Sequence, residues 1–295
     1  MICSVDGDRI EVLAPAKVNL FLEVCGRRPD GFHEIDTVFQ AVTLYDRLTV
    51  TPAADVSLAV TGACADVPAD GRNHVVRAAE ALRARVGATA GAHVALEKGI
   101  PAGGGLGGGS SDAAATLVAL NRLWDAELNC DDLLALAGGL GSDVAFFIRG
   151  ATAHGRGRGE RLDPIVTALV LWYVILWPGV PTSTAEAYRR LDARACDGAR
   201  SPDALIDALL ADDPAGVGAA AFNRFEEILP DLNPTVARSL THVRETGPPA
   251  AHLAGSGSAV FGIFDREDRA EAAANHLRTV TDGSVWVART ETQNT

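Results

Sequence analysis

Between Pro101 and Asp112 the chain reads Pro-Ala-Gly-Gly-Gly-Leu-Gly-Gly-Gly-Ser-Ser-Asp, and six glycines leave the backbone almost bare. Glycine tolerates positive φ and lets main-chain N–H groups close around a small anion. The run ends where a helix is expected to begin. Helix N-terminal amides and aligned peptide dipoles favour phosphate oxygens. Ser110 and Ser111 add hydroxyls, one of which can reach a magnesium ion. Lys98 stands just before the run and can offset charge on a polyphosphate. The Gly-Lys-Ser/Thr ending of a P-loop is missing. Gly103, Gly105 and Gly108 spell GxGxxG, but any glycine run does so. They also follow β-rich sequence instead of opening a βαβ unit, so a nicotinamide enzyme ranks low. A flexible surface loop is the bland alternative.

Phosphoryl transfer to an alcohol needs an aligned nucleophile and stabilised charge. A carboxylate beside the hydroxyl accepts its proton, and a nearby ammonium keeps that carboxylate ionised. Lys17, between apolar strand-forming residues, and Asp143, just before the apolar run 144–148, can supply such a pair. Taken singly, each has an ordinary reading, as a solvated lysine and as a turn or cap. Phe32 and His33 follow the Asp30-Gly31 turn. An aromatic face there can stack on a base while the imidazole bonds its edge, or the ring can simply pack under the turn.

The elements that must position these residues are legible in outline. Runs at Ile10–Leu13, Val18–Val24, Thr37–Leu44 and Leu48–Val50 read as strands separated by turn chemistry. Asn73 suits the cap of a helix over 74–86, and a strand at His93–Leu96 leads into the glycine loop. Helices follow at about 111–123 and 131–137. The segment 141–159 holds a short apolar strand and a glycine–arginine run whose Arg156 and Arg158 read as solvated. Beyond it come strands at about 170–176, 250–254, 258–264 and 284–289, with helices from 184, over 203–210, near 232–245 and over 266–277. The mixture indicates an α+β fold.

Hydrophobic residues make up 47% of the 295 and aromatics only 5%, so alanine and leucine carry the core. The formal charge of −12 argues against a binder of nucleic-acid backbones, though a local nest of amides can still hold a small anion. Five scattered cysteines without a CxxC pair suit a reducing, cytoplasmic setting. The longest apolar run, 168–177, is too short to span a bilayer, so no membrane association is expected.

Five ordered segments give the chain a resemblance. Ala14-Pro-Ala-Lys-Val-Asn-Leu20, Gly26-Arg-Arg-Pro-Asp-Gly-Phe-His33, residues 101–124, Gly141-Ser-Asp-Val-Ala-Phe-Phe147, and the pair Pro178-Gly-Val180 with Gly255-Ser-Gly-Ser-Ala-Val260 resemble the motifs of the GHMP kinase superfamily. Within it the likeness is to kinases acting on a cytidine-diphosphate-linked alcohol. The resemblance implies a two-domain fold. Residues 1–160 would form a ribosomal-protein-S5-domain-2-like lobe, and residues 161–295 a ferredoxin-like α/β lobe. It implies ATP and Mg2+ as cofactors and a monomer or weak homodimer. It makes Lys17 and Asp143 catalytic and places the nucleotide at Asn73, Lys98, Pro101, Ala102, Gly103, Gly104, Gly105, Leu106, Gly107, Gly108, Gly109, Ser110 and Ser111. It assigns Asn19, Phe32, His33, Asp143, Thr184 and Tyr188 to the acceptor substrate. Relatives often carry Tyr at the position of Phe32, so stacking area is kept and a hydroxyl lost. Tyr188 could equally pack a helix, Thr184 could be an N-cap, and Asn73 could do both its jobs at once. A kinase of another alcohol, such as homoserine or a mevalonate-like compound, is the next reading. A nucleotide-binding regulator without turnover comes after it.

Overall fold

The computed structural model describes residues 1–62, 67–194 and 198–292. In the first half, strands β1 (Ile2–Asp6), β2 (Arg9–Arg27), β3 (His33–Ala53) and β4 (Ser57–Gly62) precede helix α1 (His74–Val86) and β5 (Gly91–Lys98). Then come α2 (Gly108–Leu123), α3 (Cys130–Ala137), α4 (Val144–Arg149), β6 (Thr152–Gly157) and β7 (Arg161–Pro164). The second half opens with β8 (Trp172–Trp177), α5 (Thr184–Asp192), α6 (Asp203–Leu210) and α7 (Pro214–Ala220). It continues through β9 (Phe222–Asn223), a 3-10 turn at Arg224–Glu227, α8 (Leu229–Leu232) and α9 (Pro234–Glu245). It closes with β10 (Ala250–Leu253), β11 (Val260–Phe264), α10 (Glu267–Val280) and β12 (Ser284–Arg289). None of these helices is long and apolar enough to cross a membrane.

The expected strands of the first fifty residues merge into two long antiparallel ones, β2 and β3. Their register slips at Pro15/Ala16, Asn19/Phe21 and Val24/Gly26. Pro15 has no N–H for the ladder, and bulges re-aim side chains. Two of these irregularities bracket Lys17 and Asn19, which share one face because they are two residues apart. The hairpin of β6 and β7 pairs with β3, so the first sheet runs to Pro164, slightly past the expected division at 160. β9 returns from the second half and adds parallel to β2 at Phe21 and Leu22.

The second sheet has the order β10-β11-β8-β12, with all pairs antiparallel. With α10 linking β11 to β12, this is the ferredoxin-like arrangement. The apolar run expected as a buried strand is β8, whose Val174, Ile175 and Leu176 are fully enclosed.

One expectation fails. The apolar segment after Asp143 is helix α4, not a strand. A five-residue apolar run has no period that separates the two. Packing decides it: Val144, Ala145, Phe146 and Phe147 are all buried, and α4 lies against α2. Burying each phenylalanine is worth about 1.5–3 kcal/mol, which anchors the residue that starts the helix.

Candidate active site

The glycine loop joins β5 to α2 and is sewn to both halves of the chain. The Lys17 amide donates to the Leu106 carbonyl at 2.9 Å, and the Ala259 amide donates to the Gly104 carbonyl at 2.9 Å. Gly105 (φ +77°) lies so close to the second lobe that a Cβ would sit 2.0 Å from the Ala254 carbonyl oxygen. Gly107 (φ +74°) is the N-cap of α2, and a Cβ there would fall 2.9 Å from the Phe147 ring. Only glycine fits either position. Residues 101–110 line a cavity of about 490 Å³ together with Asn73, His74 and Lys98. Asn73 caps α1, accepting from the Val75 amide at 2.9 Å.

Two expected nucleotide residues are placed differently from what the sequence suggested. The Ser111 hydroxyl is enclosed and lacks a partner among the described residues, and of the two serines Ser110 is the one on the cavity wall. Lys98 touches the cavity, but its ammonium is held between Asp46 and Asp112, the latter at 2.8 Å. Asp46 also accepts from the Gly99 and Ile100 amides at 2.7 and 2.8 Å. Both ends of the loop are thus clamped. Burial opposes the Lys98 charge, yet Asp112 and Asp46 outweigh it and raise its pKa. Burial, with Asp46 beside it, pushes the Asp112 carboxyl well above the ordinary range despite Lys98. Lys98 is therefore neutralised inside the protein instead of being free to neutralise phosphate.

Lys17 is 4% exposed on β2. Its ammonium donates to Asn19 Oδ1 at 2.8 Å and lies 3.8 Å from the Asp143 carboxylate. Asn19 in turn donates to Thr37 Oγ1 at 2.8 Å, which fixes the amide's orientation. Burial lowers the Lys17 pKa, with Asp143 pulling the other way. Asp143 occupies the N-cap position of α4 but makes no capping bond, so its partly exposed carboxylate faces a second cavity of about 850 Å³. The two cavities share Gly105, Gly107 and Thr184.

The far wall of the larger cavity is aromatic. His33 stacks on Tyr188 with ring centroids 4.2 Å apart and 17° between planes. Tyr188 also meets Phe225 edge-on, so it packs the helix and lines the cavity at once. Burial, and then Asp143, pushes its phenol up to about 12. Phe32 is exposed on the rim, and the Arg158 guanidinium lies 4.7 Å from its ring centre. The turn bearing Phe32 is held by Asp30, which accepts from the Phe32 amide, and by Arg28, which bridges Asp30 and Glu34. Thr184 is not the N-cap of α5; Ser183 is. Thr184 instead shares a 2.9 Å hydrogen bond with Ser256 of the C-terminal glycine turn.

Sequence reasoning missed several residues here. Arg158, read as solvated, lines the larger cavity and lies over Phe32. Asp192, at the end of α5, bonds His33 Nε2 at 2.8 Å. His74 lies against Gly109 in the smaller cavity, its Nδ1 buried without a partner among the described residues. Asp46 and Asp112 form the clamp on Lys98. For Arg158 the glycine–arginine run was a signal. For the others only tertiary contact identifies them.

Comparison with known proteins identifies the family. The model of the GHMP kinases N terminal domain matches residues 73–151, and that of the GHMP kinases C terminal matches residues 205–282. A 4-diphosphocytidyl-2-C-methyl-D-erythritol kinase from Pelotomaculum thermopropionicum is 43% identical over 284 residues, covering 95% of this chain and 98% of its own length. The chain belongs to the 4-diphosphocytidyl-2-C-methyl-D-erythritol kinase family of GHMP kinases. A second member, from Prosthecochloris aestuarii, is 41% identical over 91% of this chain and 93% of its own. The crystal structure of a 4-(cytidine 5'-diphospho)-2C-methyl-D-erythritol kinase superposes with a TM-score of 0.80 at 36% identity, covering 96% of this chain and 100% of that one. Homoserine kinase from Cytophaga hutchinsonii, at 21% identity and a TM-score of 0.76 over 99% of this chain and 97% of its own, shares the GHMP fold.

Proposed function

We propose that this chain transfers the γ-phosphoryl group of ATP to the 2-hydroxyl of 4-diphosphocytidyl-2-C-methyl-D-erythritol, a step of the non-mevalonate isoprenoid pathway. One observation carries the reading: two cavities meet at Gly105 and Gly107, with Lys17 and Asp143 on the acceptor side of the junction. ATP lies in the smaller cavity, its phosphates against the amides of residues 107–110. The acceptor lies in the larger one. Its hydroxyl oxygen attacks the γ-phosphorus, the bond to the bridging oxygen breaks, and ADP leaves. Asp143 takes the hydroxyl proton. Lys17, 3.8 Å from the Asp143 carboxylate, stabilises charge on the transferring group. Asn19 orients the Lys17 ammonium through their 2.8 Å bond.

The cytosine is seated against His33 and Tyr188, with Phe32 on the rim. Thr184, tied to Ser256, closes the junction from the second lobe. Magnesium bound with ATP supplies charge neutralisation on the phosphates. The Ser110 hydroxyl is a hard oxygen donor suited to it. Among the described residues no cluster of three His, Cys, Asp or Glu offers a metal cage, so the ion would keep much of its water. The free, exposed Cys3, Cys25 and Cys130 suit a cytoplasmic protein.

The test is direct. Protein, magnesium-ATP and the cytidylated alcohol are expected to yield ADP and a product heavier by one phosphoryl group. ATP binding without transfer to any alcohol would overturn the reading in favour of a regulator. Preference for a cytidine-free alcohol would overturn it in favour of another GHMP activity.

A further inference from the structure

Asp192 has no place in the chemistry above, yet it makes a directed contact with a residue of the base-binding wall. Its carboxylate lies 2.8 Å from His33 Nε2. The two residues are brought together from opposite halves of the chain, His33 from the start of β3 and Asp192 from the last residue of α5. The imidazole cannot turn freely to another arrangement. It is stacked on Tyr188, and its side chain is only 10% exposed. Both His33 and Asp192 line the acceptor cavity.

A carboxylate only accepts, so Nε2 must carry the proton. In the neutral ring this leaves Nδ1 with a lone pair. Nδ1 has no hydrogen-bond partner among the described residues, so it is available to a ligand. On the polar edge of cytosine the one donor is the exocyclic amino group, while uracil presents a carbonyl oxygen at that position. An accepting Nδ1 pairs with the first and repels the second. For uracil to bind, the ring would have to move its proton to Nδ1 and turn a lone pair toward the Asp192 carboxylate.

We propose that Asp192 is a specificity-determining residue, which fixes the His33 tautomer so that the site accepts a cytidine-linked alcohol and rejects its uridine-linked counterpart. This rests on the reading that seats the base at His33 and Tyr188. A site made to bond one polar group rejects the analogue lacking it, because a buried group is then left unpaired. Replacing Asp192 removes the acceptor (Asp192→Ala) or supplies an amide that can rotate to accept from or donate to Nε2 (Asp192→Asn). Either variant frees the tautomer. The side chain is 40% exposed at a helix end, so both variants should fold.

The experiment measures kcat/KM for the cytidine-linked and uridine-linked alcohols with the intact enzyme. Asp192→Asn is expected to keep cytidine turnover within a few-fold and to narrow the cytidine-to-uridine ratio by about 10- to 100-fold. The nitrogen NMR signals of His33, assigned by their loss in His33→Gln, are expected to show a bare Nδ1 in the wild type and tautomer exchange in Asp192→Asn. An unchanged ratio, or a wild-type signal with the proton on Nδ1, overturns the proposal. Failure of the underlying reading looks different: Tyr188→Ala and His33→Gln would then leave KM for the cytidylated substrate unaltered.

Discussion

Two buried lysines flank the glycine loop, and they live in opposite surroundings. Lys98 is enclosed by two carboxylates, and its pKa is raised because Asp112 and Asp46 outweigh burial. Lys17 has a neutral amide at 2.8 Å and a carboxylate only at 3.8 Å, so burial prevails and lowers its pKa. An ammonium already saturated by counter-charge can brace a loop but has little left for a substrate. An ammonium that is desolvated and only partly compensated has unspent field, which a transferring phosphoryl group can use. The same residue type is thus a structural rivet on one side of the loop and, under the proposed function, a reactive group on the other.

Substitutions can break this contrast. The largest effect is expected at the reactive side. Asp143→Asn should cut kcat by about 10²–10⁴ while nucleotide binding, followed by titration with ATP, stays near wild type. Lys17→Met should lower kcat by about 10²–10³ with little change in ATP affinity. A loss of ATP binding in either variant would put these residues in the clamp instead. On the braced side, Lys98→Met strands two buried carboxylates and should cost about 3–5 kcal/mol in denaturant unfolding.

The pH dependence of stability should carry opposite signs. Lys98, with a raised pKa, contributes stability that is complete below 10.5 and is lost as pH climbs through its folded value. Lys17, with a lowered one, costs stability below its folded value, and that cost fades as pH rises toward 10.5. Comparing alkaline unfolding profiles of the wild type with those of Lys98→Met and Lys17→Met separates the two. Matching changes would erase the distinction. The smallest effect is expected at the rim. Phe32 is half exposed, so Phe32→Ala should forfeit about 0.5–1.5 kcal/mol of stacking, seen as a few-fold rise in KM for the cytidylated substrate at unchanged kcat.

A second internal contrast supports the same lesson. Glu23 and Arg224 form a buried pair at 2.5 Å between β2 and the 3-10 turn. Burial alone would raise the Glu23 pKa, but bonds from Arg224 and from the Arg200 and Val24 amides lower it overall. Its stabilisation is present above the unfolded value of 4.5 and is lost as pH falls through the folded one. Like Lys98, it joins distant parts of the chain and does no chemistry.

Local sequence determined a good deal of this molecule. Asn73 was legible as a cap, α6 and β12 fall within the runs that announced them, and the glycine run was legible as the loop that leads into α2. Those signals are local: a cap, a period or a missing Cβ acts over a few residues. Tertiary structure decided the rest. It made a helix of 144–149, because burial against α2 chose between two conformations that a short apolar run allows equally. It joined Phe222–Asn223 to a strand two hundred residues earlier. It drew the Lys98 ammonium into an ion cluster and brought Asp192 to His33. Charge compensation and hydrogen-bond partnership depend on which groups meet in space, and chain order carries no record of those meetings until the fold has made them.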